Sequence, residues 1–152
     1  SGASTTTGFD NLNTAPLSAA AVAADRIQMR GFRGDQAERL QINPDEIFIS
    51  PDNYEIAYEI VSSMGKVDTV LNNKNVHEGA YTIVEWNYMS DANDWFMADS
   101  VMRKDVVKWF DRIPIEFAYA EDLDTIVAKW RGYMRYAPFQ SDWRWVLGHQ
   151  VT

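Results

Sequence analysis

All six tryptophans of this 152-residue chain fall between positions 86 and 145, in a stretch rich in aromatic and β-branched residues. Such residues favour strands because they pack well on a pleated, half-buried surface. Between Thr125 and Ala137 apolar residues or glycine occupy alternate positions, which is the period of a strand. Residues 138–142 have the composition of a turn. We therefore predict a long antiparallel ribbon in which residues 143–151 run back along residues 125–137.

Several segments upstream also have the composition of strands. They are Tyr81–Met89, Trp95–Ala98, Val106–Phe110 and Ile113–Tyr119. A turn at residues 90–94 is predicted to join the first two as a hairpin, because Asn and Asp side chains bond their own backbone in turns. Pro114 is predicted to separate the last two, since it cannot donate to a strand ladder. The polar residues 66–80 are predicted to form a loop or an irregular hairpin.

The first helix is predicted over Leu17–Arg30, where a run of alanines has high helix propensity. Ser18 is placed to cap it, and Leu17 with Val22 to form the hydrophobic staple that fixes the entry of the chain. Gly31 is predicted to stop it. Because most of its side chains are small, this helix needs a partner surface lying close against it.

A short strand at residues 47–49 is predicted between two prolines. A second helix is predicted over Asn53–Met64, since its apolar residues recur at helical spacing. Asp52 is expected to open this helix, with Glu55 as its capping-box partner. A strand followed so closely by a helix favours a helix packed on a sheet.

The composition excludes several kinds of site. The chain contains no cysteine, so disulfides, thiolate zinc sites and thiol catalysis are excluded. A formal net charge of -8 and a pI of about 4.6 disfavour a clamp on a phosphate backbone or an anionic membrane. No apolar run reaches membrane-span length, and no signal peptide is visible. Small polar residues and the lack of an initiating Met predict that residues 1–16 are a flexible lead, cut from a longer protein.

Few residues offer catalytic or metal-binding chemistry. His77 lies in the polar loop and His149 near the end of a strand, and neither has metal-ligand spacing, so both are predicted to be surface or rim histidines. The carboxylates form two groups that are better explained by turns and by a solvated corner than by a cation site. They are Asp91, Asp94 and Asp99, and Glu121, Asp122 and Asp124. We therefore predict no catalytic, cofactor-binding or metal-binding residues.

The tryptophans allow three interpretations. Stacking on nucleic-acid bases would require interleaved cations, and Lys129, Arg131, Arg135 and Arg144 offer some, but the acidic balance of the chain opposes it. Stacking on sugars is possible on an exposed sheet face. Burial, in the core or in contacts between subunits, is favoured for most of them.

The order of the segments resembles the second half of tailed-phage major capsid proteins, in particular the Mu-like major head subunit. The resemblance covers roughly residues 12–150, and the ordered series carries it, since no single motif is diagnostic. Its members are Asn13–Ser18, the Ala-rich helix, Leu40–Pro51, Asn53–Met64, Tyr81–Tyr88, Ser90–Phe96, Arg112–Phe117 and Trp143–Gly148.

The resemblance implies the Hong Kong 97-type fold. This is an α+β fold with an Ala-rich spine helix, a mixed sheet flanked by helix in an axial domain, and a long antiparallel β-ribbon in a peripheral domain. On that map residues 17–41 are the spine helix and linker of the peripheral domain, residues 42–124 are mainly the axial domain, and residues 125–152 are the ribbon. The N-terminal arm and extended loop of a whole family member are absent, so we expect a truncated core of such a subunit.

The resemblance also implies a function. The chain would be a structural subunit of a phage or prophage head, not an enzyme, and would need no cofactor. Its partners would be copies of itself, as pentamers and hexamers in the full-length parent, with no membrane, specific nucleic acid or small-molecule ligand. It would occur in the virion, and in the host cytoplasm during assembly. Two alternatives remain: a carbohydrate- or surface-binding β-module using exposed Trp and Tyr, and a hydrolase built on Asp91, Asp94 and His77.

Overall fold

The structure, a computed structural model, describes residues 10–66, 73–122, 124 and 126–151. These residues form the predicted α+β fold, with a five-stranded mixed sheet and a two-stranded antiparallel ribbon. The helices are α1 (Ala19–Arg30), α2 (Tyr54–Ser62) and α3 (Ser100–Val106). The strands are β1 (Leu12–Asn13), β2 (Glu46–Ile49), β3 (Thr82–Glu85), β4 (Trp95–Ala98), β5 (Val107–Asp122), β6 (Val127–Gln140) and β7 (Val146–His149). Contacts divide the chain into a sheet unit, residues 1–103 and 142–152, and a ribbon unit, residues 104–141.

The five-stranded sheet has the order β1–β7–β4–β2–β3. Its central pairs are antiparallel, whereas β1 pairs parallel with β7 and β3 parallel with β2. Met97 lies opposite both Ile47 and Leu147, so these three side chains share one face. That face is fully buried, in one cluster with apolar residues of α1 and α2. The core of the sheet unit therefore lies between this face and the two helices.

The predicted first helix is confirmed, together with its cap. The Ala21 N–H donates to the Ser18 Oγ at 3.2 Å, and the helix ends at Arg30 before Gly31. Leu17 and Val22, the expected staple pair, both belong to the buried cluster. Ala19 and Ala21 of α1 are buried in the same cluster, together with Val22 and Met29.

The second helix is confirmed, but its predicted start is wrong. Pro51–Asn53 forms a turn of 3₁₀-helix, because proline presets the first helical dihedral, and α2 begins at Tyr54. Asn53 is the N-cap and makes no side-chain capping bond, so the expected pairing of Asp52 with Glu55 does not cap α2. The Asn53 Nδ2 donates instead to the Ala92 carbonyl at 3.0 Å.

Helix α3 was not predicted, although its cap is visible in the sequence. Asp99 Oδ1 accepts the backbone N–H groups of Val101 at 2.9 Å and Met102 at 3.0 Å, as an N-cap aspartate does. Its Oδ2 accepts the Asn43 N–H at 2.7 Å. A helix of seven residues is too short to show a clear apolar period.

The predicted ribbon exists, but its predicted partner was wrong. Strand β6 pairs with β5 and not with residues 143–151, which instead supply β7 to the sheet. The two strands expected around Pro114 are one strand of 16 residues. The register shifts between Asp111 and Ile113 and again between Ile113 and Glu116. The second shift spans Pro114, which lacks the N–H of a regular ladder and fits a bulge.

Two further expectations need correction. Strands β3 and β4 do not form a hairpin with each other, because β2 lies between them. The expectation of a flexible lead over residues 1–16 is wrong for Leu12 and Asn13, which pair with Gly148 and His149 as a strand. Residues 1–9 of that lead, and residues 67–72 of the expected loop, lie outside the described residues. Gly65 and Lys74 form an isolated antiparallel bridge at the margins of that loop.

Candidate functional site

The ribbon unit exposes an unusual amount of apolar surface. Twelve large apolar side chains in β5 and β6 are at least two-fifths exposed. They are Val107, Trp109, Phe110, Ile115, Phe117, Tyr119, Val127, Trp130, Tyr133, Met134, Tyr136 and Phe139. Isolated strands of 16 and 14 residues are also long for a single domain, in which strands usually have about 3–10 residues. Large apolar patches of this kind mark interaction surfaces on soluble proteins.

Side-chain alternation divides one half of the ribbon into two different faces. Tyr119 lies opposite Trp130 with ring centroids 4.7 Å apart, and Phe117 covers Gly132 on the same face. Phe117 is 76% exposed and Trp130 77% exposed, so this aromatic face is open to solvent. We call Phe117, Tyr119 and Trp130 the aromatic face. The opposite face carries alanine and charged residues, of which Ala118 faces Arg131 and Ala120 faces Lys129.

The second notable arrangement is buried in the sheet unit. His149 Nε2 lies 2.5 Å from Asp25 Oδ2, and the two residues are 2% and 1% exposed. The imidazole stacks on the Trp95 ring with centroids 4.0 Å apart. Asn13 Nδ2 donates to the other Asp25 oxygen at 3.2 Å. The prediction that His149 is a surface or rim residue was therefore wrong. His149 and Asp25 join β7 to α1 on the buried face of the sheet, where their low exposure leaves no surface for a substrate.

The predicted carboxylate candidates do not converge on a common site. Asp91 accepts the Asn93 N–H at 2.9 Å, which confirms the turn interpretation. Asp94 accepts the Val151 N–H at 3.0 Å and so holds the C-terminal segment, while Asp99 caps α3. Among the described residues, no group of three or more His, Asp or Glu side chains is arranged to hold a metal ion.

The second carboxylate group lies at the end of the ribbon, where a corner was expected. Glu121 accepts a hydrogen bond from the Tyr119 hydroxyl at 2.5 Å. Lys129 Nζ lies 2.6 Å from Asp122 Oδ2, and Asp124 is exposed. These contacts are those of a solvated turn.

A comparison with protein families decides what kind of protein this is. A family model described as phage capsid protein matches residues 1–148, which is nearly the whole chain. The chain belongs to this phage capsid protein family. No curated protein and no solved structure matches it. Members of this family are structural components of the virion capsid, so the exposed ribbon of this capsid chain is a surface to be explained by assembly.

The tryptophans of the capsid chain divide between the core and the surface. Trp95 is fully buried and donates from Nε1 to the Ala15 carbonyl at 3.1 Å. Trp143 and Trp145 are half-buried, and Trp143 meets Phe32 edge to face at 5.4 Å. The other three are exposed in the single chain, namely Trp86, Trp109 and Trp130. Sequence reasoning could not separate the two groups, because alternation shows which residues share a face but not whether that face is covered.

None of the helices in the described part of the capsid chain is both long and apolar enough to cross a membrane.

His77 lies beside Arg26 and Lys66 in the sheet unit of the capsid chain. Burial lowers the pKa of its imidazole, and the positive charges of Arg26 and Lys66 lower it further. His77 therefore binds a proton less readily in the folded chain than in the unfolded chain, where its imidazole has the ordinary pKa of 6.5. Stability gained from neutral His77 is present above that pH and is lost as the pH falls through it.

Replacing His77 with glutamine is therefore expected to reduce the decrease in unfolding free energy that occurs when the pH is lowered. The measurement is the free energy of urea unfolding at about pH 7.5 and about pH 5.5, for the wild-type chain and for the His77→Gln variant. The difference between the two losses is expected to be below about 1 kcal/mol, because the ring is only half-buried and solvent screens the neighbouring charges. Equal losses in the two chains would show that His77 carries no such linkage.

Proposed function

We propose that this capsid chain is the shell-building part of a tailed-phage major capsid protein of the Hong Kong 97 type, as its Mu-like order of segments suggests. Copies of the chain associate into capsomers, which are pentamers and hexamers in the full-length parent and together enclose the genome. Assembly takes place in the host cytoplasm. The net charge of the chain, -8 at pH 7, fits a capsid wall that does not bind the packaged DNA tightly.

The observation that carries this proposal is the exposed apolar ribbon. In a single chain its twelve exposed large side chains are solvated. Burial against neighbouring copies would stabilise the assembly by about 25 cal/mol for each Å² of apolar surface removed from water. Aromatic residues are also the usual energetic centres of protein interfaces. An enzyme would need a cleft with converging polar groups, whereas a shell subunit needs contact area.

Within the Hong Kong 97 map, α1 with its linker, residues 17–41, is the peripheral spine helix. Residues 42–124 are mainly axial in that map, and residues 125–152 are the peripheral ribbon. The pairing of β5 with β6 moves the ribbon portion of this proposal to residues 107–140. Strand β7, at Val146–His149, then goes with the sheet that contains β2 and β4.

The proposal is tested by sedimentation velocity and negative-stain electron microscopy of the purified chain over a range of concentrations. Ring-shaped capsomers or closed shells are the expected result. A chain that sediments as a monomer at every concentration would contradict the proposal. Tight, salt-sensitive binding of duplex DNA would contradict the proposed role of its acidic charge.

The alternative of carbohydrate binding has one observation in its favour. Trp109 stacks on Tyr136 with centroids 4.3 Å apart, and both rings are exposed. The other exposed ribbon tryptophan, Trp130, lies opposite Tyr119. Tyr119 is ten positions from Trp109 along β5, which is roughly 33 Å at about 3.3 Å per residue. Two tryptophans so far apart make no continuous sugar platform. A shift of tryptophan fluorescence on addition of glycans to the chain would favour this alternative.

A further inference from the structure

An apolar groove with a basic rim lies along α1 in the sheet unit. It has a volume of about 430 Å³ and an apolar floor to which Ala23, Ile27 and Val76 contribute. Ile27 and Val76 are each 75% exposed, so the groove is open at the surface. Arg26, Arg30 and Lys66 also line it, and the described lining residues include no carboxylate. Among the described lining residues, three cations and no acid are unusual for a chain with 22 Asp and Glu residues and 14 Lys and Arg residues. We call this surface the basic groove.

The end of the ribbon has the complementary character. Glu121, Asp122 and Asp124 lie there, and Lys129 pairs with Asp122. Ile126 lies between these acids and β6 and is 94% exposed. Its φ of 53° is in the left-handed region, which is strained for a β-branched residue. Strained residues concentrate at contact sites, where a partner makes the conformation useful. We call Glu121, Asp122, Asp124 and Ile126 the acidic tip.

We propose that the acidic tip of one copy docks into the basic groove of a second copy. Ile126 would pack on the apolar floor of the groove, and the tip carboxylates would face Arg30 and Lys66 at the rim. The complementary charges would also set the register of the contact and speed encounter. This inference rests on the proposed function, because it identifies one of the contacts by which copies associate.

The geometry of such a contact has a consequence for assembly. The tip and the groove are different surfaces, so the contact is head-to-tail and not self-complementary. Head-to-tail contacts generate closed rings when the rotation between neighbours closes. The basic groove and the acidic tip could therefore build a ring of subunits without any other type of contact.

The test uses two matched double charge reversals in the full 152-residue chain. The groove variant is Arg30→Glu with Lys66→Glu, and the tip variant is Glu121→Lys with Asp124→Lys. All four positions are exposed, and Arg26 is left in place because it is half-buried beside His77. Each variant alone is expected to weaken self-association by about tenfold or more in sedimentation equilibrium, because like charges then face each other.

Equimolar mixing of the two variants is expected to restore association, since each then meets a complementary surface on the other. One chain carrying all four changes is expected to associate with itself again. A control variant, Glu55→Lys with Glu59→Lys on the exposed side of α2, makes the same charge change as the tip variant but should leave association unaffected. Wild-type association should weaken with added salt.

The possible failures can be told apart. If the wild-type chain is monomeric throughout, both the proposed function and this inference are overturned. If the wild-type chain assembles and the reversals have no effect, or mixing rescues nothing, only the docking of tip in groove is overturned. The same holds if the groove variant loses association and the tip variant does not, because the groove then has another occupant.

Discussion

Replacement of Asp25 with alanine is expected to destabilise the sheet unit by about 2–4 kcal/mol, because it removes the acceptor of a buried hydrogen bond and leaves a space in the core. The change leaves His149 without its buried acceptor and removes one of the two acceptors of Asn13 Nδ2, the other being Gln28 Oε1. Since whole domains are stable by only about 5–15 kcal/mol, the loss is a large fraction of the total. Urea unfolding, followed by circular dichroism, measures it directly.

Two variants serve as controls for this expectation. Asp52→Ala removes an exposed aspartate and should cost below about 1 kcal/mol, as most surface substitutions do. Asp25→Asn keeps the side-chain volume, so its cost separates the lost carboxylate from the lost packing. A loss below about 1 kcal/mol for Asp25→Ala would show that the contact with His149 does not stabilise the fold.

The second large effect concerns assembly. Replacing Phe117 and Trp130 together with threonine is expected to weaken self-association by at least about a hundredfold. That corresponds to about 2.8 kcal/mol, the energy of one or two interface hot spots. Threonine retains the strand propensity, and the two side chains are mostly solvated in the single chain. The unfolding free energy should therefore change by less than about 1 kcal/mol. Sedimentation equilibrium and urea unfolding give the two quantities.

The matched control lies on the opposite face of the same strand. Ala118→Thr with Ala120→Thr introduces the same residue type but leaves the aromatic face intact, so association should stay near that of the wild-type chain. If the control and the Phe117 and Trp130 variant weaken association equally, the aromatic face is not the contact surface. If neither weakens it, copies associate through another part of the chain.

The local elements could be predicted because their signals lie within a few residues. Ser18 before an alanine run identifies the start of α1, and the apolar residues of β2 between two prolines identify a buried strand. The Asp52 cap was wrong because Pro51 and Asp52 belong to a 3₁₀ turn whose geometry the capping pattern does not encode. Asp99 shows the converse, since a correct capping residue was present but the helix after it was too short to recognise.

Strand partners were beyond local reasoning. The alternation in residues 127–140 predicts a strand, but nothing within that segment distinguishes β5 from the residues after it as the partner. Strand β2 likewise enters between β3 and β4 from more than thirty positions upstream of β3. The buried contact of His149 with Asp25 joins residues 124 positions apart, so its burial could not be read from the neighbours of either.

Among the described residues, each ribbon strand pairs only with the other, so the backbone N–H and C=O groups along both outer margins lack strand partners. Open margins of this kind invite other strands to add and can seed fibrous growth. The ribbon carries two interruptions that oppose this. Pro114 and Pro138 remove donors, and the shifts of register near Pro114 twist the strand away from a flat template. These interruptions would protect the ribbon of a newly made chain against disordered aggregation before the proposed contacts between copies form.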